Sequence, residues 1–325
     1  MSPLFSTPLL RARAGSNQSA DMSAQSKLRR CLLVGDITYA SLMNPYYQWV
    51  SEFERLLRKG KSLRSLTIFH PRQTLSPDAP KVLLFSPHPD DECITGALPL
   101  RLLHEAKWNV INVGVTLGSK RARRPARRRE LQNACAALGF GLVVAGLEHI
   151  SVESREGDRA RWQAAVTVIA GLLAEHQPRV ILLPHEYDWN CTHIGVHFLV
   201  MDALETLPAK FGCYVVETEF WGQMAEPNLL VESSVDVVAA LVGALTCHIG
   251  EIRRNPYHVR LPAWMADNVR RGAEVIGGQG GAAPEFAFAT IYRVRMWSRR
   301  RLVDVLKRGR FLSHRENAGK LFKPK

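Results

Sequence analysis

The stretch Lys81-Val-Leu-Leu-Phe-Ser-Pro-His-Pro-Asp-Asp-Glu92 joins a continuously apolar run to a short polar loop. An apolar run without alternation is typical of a strand buried on both faces of a parallel sheet. Similar runs recur at 110–116, 142–145, 179–184 and 214–220, separated by helical patterns at 91–106, 120–139, 161–176 and 192–207. Alternating strands and helices predict an α/β, Rossmann-like fold, a mostly parallel sheet with helices on both faces.

The rest of the chain frames this alternating region. Residues 1–30 are rich in Ser and Arg and predict a flexible leader. Residues 31–80 predict an N-terminal helical extension, with apolar residues at helical spacing over 45–59. We expect the principal domain to span residues 81–297 and a basic C-terminal tail to occupy residues 298–325.

Composition limits the class of protein and its partners. Of 325 residues, 46% are hydrophobic, which is enough to bury a sizeable core. The formal net charge of +13 favours anionic partners. The longest apolar runs fall short of the ~18 residues of a membrane span, so no transmembrane segment is expected. Six scattered cysteines without a CxxC pair favour a reducing compartment, and we predict a cytoplasmic location. Oligomeric state stays open.

The loop after the first strand combines an imidazole with three carboxylates. His88 and Asp91 offer the nitrogen and oxygen donors that Zn²⁺ accepts, and the flanking prolines restrict the backbone around His88. Asp90, between these two residues, can take a proton from an attacking water. Acidic residues also favour the first turn of a helix, which would explain the carboxylates without a metal. That alternative leaves His88 unexplained.

A second polar loop follows the strand at 179–184 and reads Pro184-His-Glu-Tyr-Asp-Trp-Asn-Cys-Thr-His193. Catalytic zinc usually has three protein ligands, and His193 is the third candidate beside His88 and Asp91. A lone histidine is more often a hydrogen-bonded structural residue. Two polar loops at the carboxyl ends of parallel strands are expected to meet at one edge of the sheet, which favours the metal site.

These two loops resemble the PIG-L/LmbE family of N-acetylglucosaminyl deacetylases, over roughly residues 81–220. The resemblance implies an LmbE-like fold with His88, Asp91 and His193 as zinc ligands. It also implies that Asp90 is the general base and that Arg127, in the basic segment 120–129, contacts substrate.

The second loop departs from the family pattern. Where the family commonly has His-x-Asp-His, this chain has Asn190-Cys-Thr-His193. Asn190 can donate a hydrogen bond to an oxyanion but cannot shuttle a proton at neutral pH. We therefore assign Asn190 a catalytic role without proton transfer, and expect Asp188 to orient His193.

The donor of the proton to the leaving amine stays open. Asp90, after taking the proton from water, is one candidate, and His185 and His248 are others. The segment 247–257 is expected to line the pocket through His248 or Tyr257. His185, Asp188 and His248, together with Arg127, form the predicted substrate-binding set.

The sequence thus predicts a hydrolase that uses Zn²⁺, or another divalent metal, to remove an N-acyl group from an amino-sugar substrate. The acyl group is expected to be acetyl. The substrate would be a small molecule or a conjugate, and the basic segment 120–129 would suit an anionic one. The alternatives are a sugar- or nucleic-acid-binding protein on the same fold, and a metal hydrolase for another acyl or phosphoester bond. Specific nucleic-acid binding is not expected, since no aromatic residues interleave with the basic ones.

Overall fold

The computed structural model describes residues 44–66 and 72–323. The chain divides into two units after Gly60, and the second unit comprises residues 61–325. The predicted leader at 1–30 lies outside the described residues. The helix predicted at 45–59 is confirmed as α1, Tyr47–Ser62, an amphipathic helix whose apolar side chains Trp49, Val50 and Phe53 are exposed.

The second unit contains a sheet of nine described strands. They are β1 Lys81–Ser86, β2 Asn109–Gly114, β3 Gly141–Val144, β4 Val180–Pro184, β5 Cys213–Thr218, β6 Leu229–Ser233, β7 Phe288–Ser298, β8 Arg301–Asp304 and β9 Arg310–Leu312. The order is β3-β2-β1-β4-β5-β7-β6-β9, with β8 paired to β7. Strands β1 to β5 pair in parallel, as do β6 and β9, whereas β7 is antiparallel to β5, β6 and β8. The predicted α/β fold with a mostly parallel sheet is confirmed.

Helices cover both faces of this sheet. In chain order they are α2 Asp91–Ile94, α3 Ala97–Ala106, α4 Arg124–Leu138, α5 Val152–Gly157, α6 Arg159–His176, α7 Cys191–Thr206, α8 Val235–Leu245, α9 Ile249–Arg254 and α10 Leu261–Gly277. Among the described residues, no helix is sufficiently long and apolar to cross a bilayer.

Strand β1 lies between two apolar cores. Val82 and Leu84 face one core, which also includes Leu98 of α3 and Leu241 of α8. Leu83 and Phe85 face the other, which includes residues of α6 and α7. Successive side chains of a strand point to opposite faces, so a strand covered on both sides must be apolar throughout. This explains why β1 shows no alternation in the sequence.

The chain reverses its direction across the sheet beside β1. From β1 it proceeds through β2 to β3, then returns to β4 on the opposite side of β1. In open α/β sheets the crevice at such a reversal is the usual ligand site. The loops that leave the carboxyl ends of β1 and β4 are the two polar loops predicted from the sequence.

The helix predicted at 91–106 is interrupted. Thr95 and Gly96 separate α2 from α3, and Gly96 has a φ of +89°. A β-carbon at Gly96 would lie 2.3 Å from Oγ1 of Thr290 on β7. The break therefore permits close packing between this turn and β7, and only glycine fits there without strain.

The C-terminal region differs from the predicted basic tail at 298–325. Residues 301–304 and 310–312 form β8 and β9, and both strands pair within the sheet. Leu312, Ala318 and Phe322 are buried in the structure. Most of the predicted tail is therefore part of the second unit, because these apolar residues cover one edge of its core.

Candidate metal-dependent active site

Three potential metal ligands converge at the crevice between β1 and β4. The two imidazole nitrogens, His88 Nδ1 and His193 Nε2, are 3.2 Å apart. Asp91 Oδ2 lies 3.5 Å from His88 Nδ1 and 3.3 Å from His193 Nε2. The structure thus brings together the three ligands predicted from the sequence, although 105 positions separate His88 from His193.

The donor set and its spacing fit a zinc ion. Ligand atoms about 2.0–2.1 Å from a tetrahedral centre are about 3.3–3.4 Å from one another. The three observed separations, 3.2, 3.3 and 3.5 Å, lie close to that value. Two nitrogens and one carboxylate oxygen are also a usual set for catalytic zinc, which leaves a fourth position for a reactant. Residues His88, Asp91 and His193 therefore fit a divalent metal.

Local backbone geometry orients the ligands. The N–H of His88 donates to Asp91 Oδ2 at 2.8 Å, which closes the loop after β1. At the start of α7, Asn190 Oδ1 accepts hydrogen bonds from the N–H groups of Thr192 and His193. This is an N-cap, and it places His193 in the first turn of the helix.

The charge state of Asp91 suits a ligand. Burial favours its neutral form, but the charge and hydrogen bonding of His193 and His88 outweigh burial and hold the pKa of Asp91 far below its usual range. The carboxylate is therefore ionised, as metal coordination requires.

Asp90 lies beside the three ligands in a strained conformation. Its φ is +123°, which is rare for a residue other than glycine. Its backbone N–H donates to Glu92 Oε2 at 2.9 Å, and its carboxylate accepts a hydrogen bond from the Tyr257 hydroxyl. Burial, together with the nearby Asp91 carboxylate, raises the pKa of Asp90 to about 7. Strain of this kind persists only where the surroundings fix it, and it is frequent at functional sites.

Glu92 links Asp90 to a buried histidine. Both Glu92 and His248 are buried, and His248 Nε2 lies 2.6 Å from Glu92 Oε1. Burial alone would lower the pKa of His248, but the Glu92 charge and hydrogen bond outweigh it and raise that pKa. His248 thus pairs with Oε1 of Glu92, whose other oxygen holds the Asp90 backbone.

We expect His248→Ala to destabilise the protein by about 3–5 kcal/mol, because it leaves the charge of Glu92 buried and unpaired. Urea unfolding of the full chain measures this loss. The double variant Glu92→Gln/His248→Ala should be more stable than His248→Ala, since it removes the stranded charge. His149→Asn is the control; His149 is exposed, and its positive φ suits asparagine. A His248→Ala variant as stable as wild type would contradict the assignment.

Arg127 lies beside the same loop. Its Nη2 donates to the carbonyl of Pro89 at 3.2 Å and lies 3.8 Å from Glu251 Oε1. Its Nε is buried and has no hydrogen-bond partner. Substrate contact by Arg127 stays a prediction, and its position next to the site is compatible with it.

Three of the six other basic side chains in the segment 120–129 form ion pairs. Arg121 and Arg124 form ion pairs with Glu148, and Arg123 pairs with Glu130. These pairs reduce the positive charge that the segment 120–129 offers to a substrate.

Three residues of the predicted substrate-binding set are buried. Asp188 lies 3.6 Å from His193 Nδ1, so the expected orienting role fits its position. His185 Nε2 contacts the Gly222 carbonyl at 2.9 Å. His248 pairs with Glu92, as described above. Substrate contact by these three residues stays a prediction, and in this structure all three side chains are enclosed by protein.

The role predicted for Asn190 is only partly compatible with its position. Its side-chain oxygen is occupied as the cap of α7. Donation to an oxyanion by its amide nitrogen stays a prediction. Sequence reasoning proposed Tyr257 for the pocket but gave no sign of its bond to Asp90, which lies 167 positions away.

A second buried polar cluster contains Glu186, His197 and Glu217. His197 Nδ1 donates to the Pro184 carbonyl at 2.9 Å, and Arg295 forms two hydrogen bonds with Glu217, at 2.5 and 3.1 Å. Burial raises the pKa of Glu217 to about 7. These hydrogen bonds and ion pairs explain why the polar side chains of this cluster are buried, and the cluster is a structural network.

Comparison with known protein families points to the same region of the chain as the candidate site. Residues 83–204 match the family model described as PIG-L, GlcNAc-PI de-N-acetylase. No curated protein sequence matches the chain. The resemblance to the PIG-L/LmbE family is therefore confirmed for the segment that carries all three candidate ligands.

Solved structures show where the fold recurs. The 4-carboxy-2-hydroxymuconate hydratase GalB from Pseudomonas putida KT2440 is 16% identical with a TM-score of 0.50, covering 66% of this chain and 95% of its own. The A40926 pseudoaglycone deacetylase Dbv21 is 14% identical with a TM-score of 0.50, and the match covers 67% of this chain and 98% of Dbv21. The N,N′-diacetylchitobiose deacetylase from Pyrococcus horikoshii is 17% identical with a TM-score of 0.49, and the match covers 75% of this chain and 91% of the deacetylase. The first two establish the fold, on which both a hydratase and a deacetylase are built.

Proposed function

We propose, from the PIG-L match over residues 83–204 and the geometry at its centre, that this chain is a metal-dependent N-deacetylase for an amino-sugar substrate. The second unit, residues 61–325, would carry the activity. The single observation that carries the proposal is the convergence of His88, Asp91 and His193, with Asp90 beside them and outside the donor set. A binding protein would have no need of a carboxylate in that position.

The residues divide into holding and proton-transfer roles. His88, Asp91 and His193 would hold the cation. When bound, a divalent cation such as Zn²⁺ polarises the amide carbonyl and lowers the pKa of water. Asp90 takes a proton from the attacking water while the oxygen of that water adds to the acyl carbon. The Tyr257 hydroxyl and Glu92 hold Asp90 in position for this step.

Release of the amine requires that the proton be returned. The carbon–nitrogen bond breaks, and the nitrogen gains a proton as the carboxylate product leaves. Asp90 would return the proton that it took, because Asn190 cannot transfer protons and both His185 and His248 are buried. The Asn190 amide nitrogen would donate to the oxygen that develops negative charge.

A substrate panel tests this function. Purified full-length protein loaded with zinc would be incubated with free, phosphorylated, nucleotide-linked and lipid-linked N-acetylated amino sugars, and acetate release measured. We expect release from at least one class, with one metal ion per chain. Bound metal without acetate from any substrate would favour hydrolysis of another acyl group or a phosphoester. Absence of metal binding would refute the proposal.

A further inference from the structure

Three aromatic side chains are unusually exposed near the candidate site. The exposed fractions of Tyr187, Trp189 and Trp221 are 70%, 82% and 58%. Tryptophan is usually highly buried, and a group of exposed aromatic rings commonly marks a ligand-binding or interaction surface. Tyr187 and Trp189 lie in the loop after β4, and Trp221 lies in the loop after β5.

The two loops are fixed to each other through one buried carboxylate. Asp188, between Tyr187 and Trp189, accepts hydrogen bonds from the N–H groups of Trp221 and Gly222 at 3.1 and 3.3 Å. A β-carbon at Gly222 would lie 2.7 Å from the Tyr187 carbonyl oxygen, so the two backbones are in close contact. The backbones that carry the three exposed aromatic side chains are therefore held together, and these three residues are here called the aromatic platform.

The aromatic platform adjoins the candidate metal ligands. The same Asp188 has its other oxygen 3.6 Å from His193 Nδ1. Phe220, the neighbour of Trp221, packs edge-on against the His193 ring with centroids 4.8 Å apart. A substrate whose acyl group reaches the crevice would thus have its remaining part close to the platform.

The charge around the platform argues against an anionic surface as its partner. Residues 185–190 and 219–227 contain no lysine or arginine. Of their four acidic residues, Asp188 and Glu219 are buried, and Arg293 of β7 lies 3.8 Å from Glu186 and 2.9 Å from Glu226. The two loops therefore offer neither a cluster of cations nor an unpaired acidic surface. Anionic lipid and nucleic acid both require clustered cations. Rigid aromatic rings interleaved with hydrogen-bonding side chains instead suit a neutral sugar ring, which has an apolar C–H face and hydroxyl groups at its edge.

We propose that the aromatic platform binds a second, neutral sugar ring next to the ring that is deacetylated, so that the substrate is an oligosaccharide. This inference rests on the proposed function, since it extends the substrate of the same site. Trp189 and Trp221 would be specificity-determining residues that act in binding and leave the chemistry unchanged.

The test compares a monosaccharide with a disaccharide. Acetate release from N-acetylglucosamine and from N,N′-diacetylchitobiose would be measured with the zinc-loaded full chain, its Trp189→Ala and Trp221→Ala variants, and Trp189→Phe. We expect each alanine variant to raise KM for the disaccharide about tenfold, because one ring contact with the sugar is lost. The value of kcat should be unchanged. KM for the monosaccharide should stay within about twofold, and Trp189→Phe should retain wild-type values.

Controls separate this inference from the proposed function. Trp49→Ala removes a tryptophan of similar exposure, 68%, outside the two loops, and should change neither KM. Equal effects of Trp189→Ala on both sugars, or none, would overturn the platform while leaving deacetylation intact. If neither sugar is hydrolysed, titration with the disaccharide while tryptophan fluorescence is recorded still decides whether the platform binds it. The inference would also be overturned if the protein bound phosphatidylcholine vesicles instead of the sugar and the same variants lost that vesicle binding.

Discussion

Asp90→Asn is expected to lower acetate release by about 10²–10⁴-fold while metal content stays near wild type. Asparagine has the size of aspartate and still offers an oxygen to the Tyr257 hydroxyl, so the local structure should persist. It has no basic oxygen to take a proton from water. The loss should therefore fall on kcat, with little change in substrate affinity.

Two companion variants make the Asp90 result decisive. Asp91→Asn alters a predicted ligand one residue away and should lose metal, whereas Asp78→Asn changes an exposed aspartate and should alter neither property. Metal would be counted by elemental analysis of the purified chains. If Asp90→Asn emerged without metal, the division between ligand and base would be incorrect.

The sequence predicted the parallel half of the sheet because that half depends on local pattern. Strand β1 is apolar throughout, since parallel neighbours and two helical layers enclose it. The strand order of the antiparallel half was not predicted. Strand β7 inserts between β5 and β6, although it follows β6 in the chain. Local sequence contains no signal for that order, and so β8 and β9 were mistaken for a tail.

The same limit applies to the candidate site. His88, Asp90 and Asp91 are contiguous and follow a recognisable strand, so their proximity could be predicted. The support of Asp90 by Tyr257 and by the Glu92–His248 pair joins residues more than 150 positions apart. Those contacts depend on tertiary packing, which a single sequence does not reveal.

Asn190 shows that one residue can have both a structural and a catalytic interpretation. Its position suggested a replacement for a catalytic histidine. Asparagine is also one of the preferred N-cap residues, and here its oxygen caps the helix that presents His193. Capping and catalysis can both fall to Asn190, because the candidate ligand His193 lies in the first turn of the helix that Asn190 caps. The capping role follows from local geometry, whereas the catalytic role needs a bound substrate to be observed.

His193→Ala is expected to abolish both metal binding and turnover. His193 is buried, and its Nε2 is within 3.3 Å of both other donor atoms, so its removal leaves two ligands. Alanine is well tolerated in a first helical turn, and the fold should be retained. Elemental analysis should find metal in the wild type and none in the variant, and acetate release should fall to background.

Thermal unfolding supplies the measurement that separates lost coordination from lost folding. A cation that binds only the folded chain stabilises it by about 2.7 kcal/mol at a hundredfold excess over its Kd. Added zinc should therefore raise the Tm of chelator-treated wild type and of the control His149→Asn. It should leave the Tm of His193→Ala unchanged. An equal rise in all three would mean that the ion binds elsewhere, and the loops after β1 and β4 would then need another explanation.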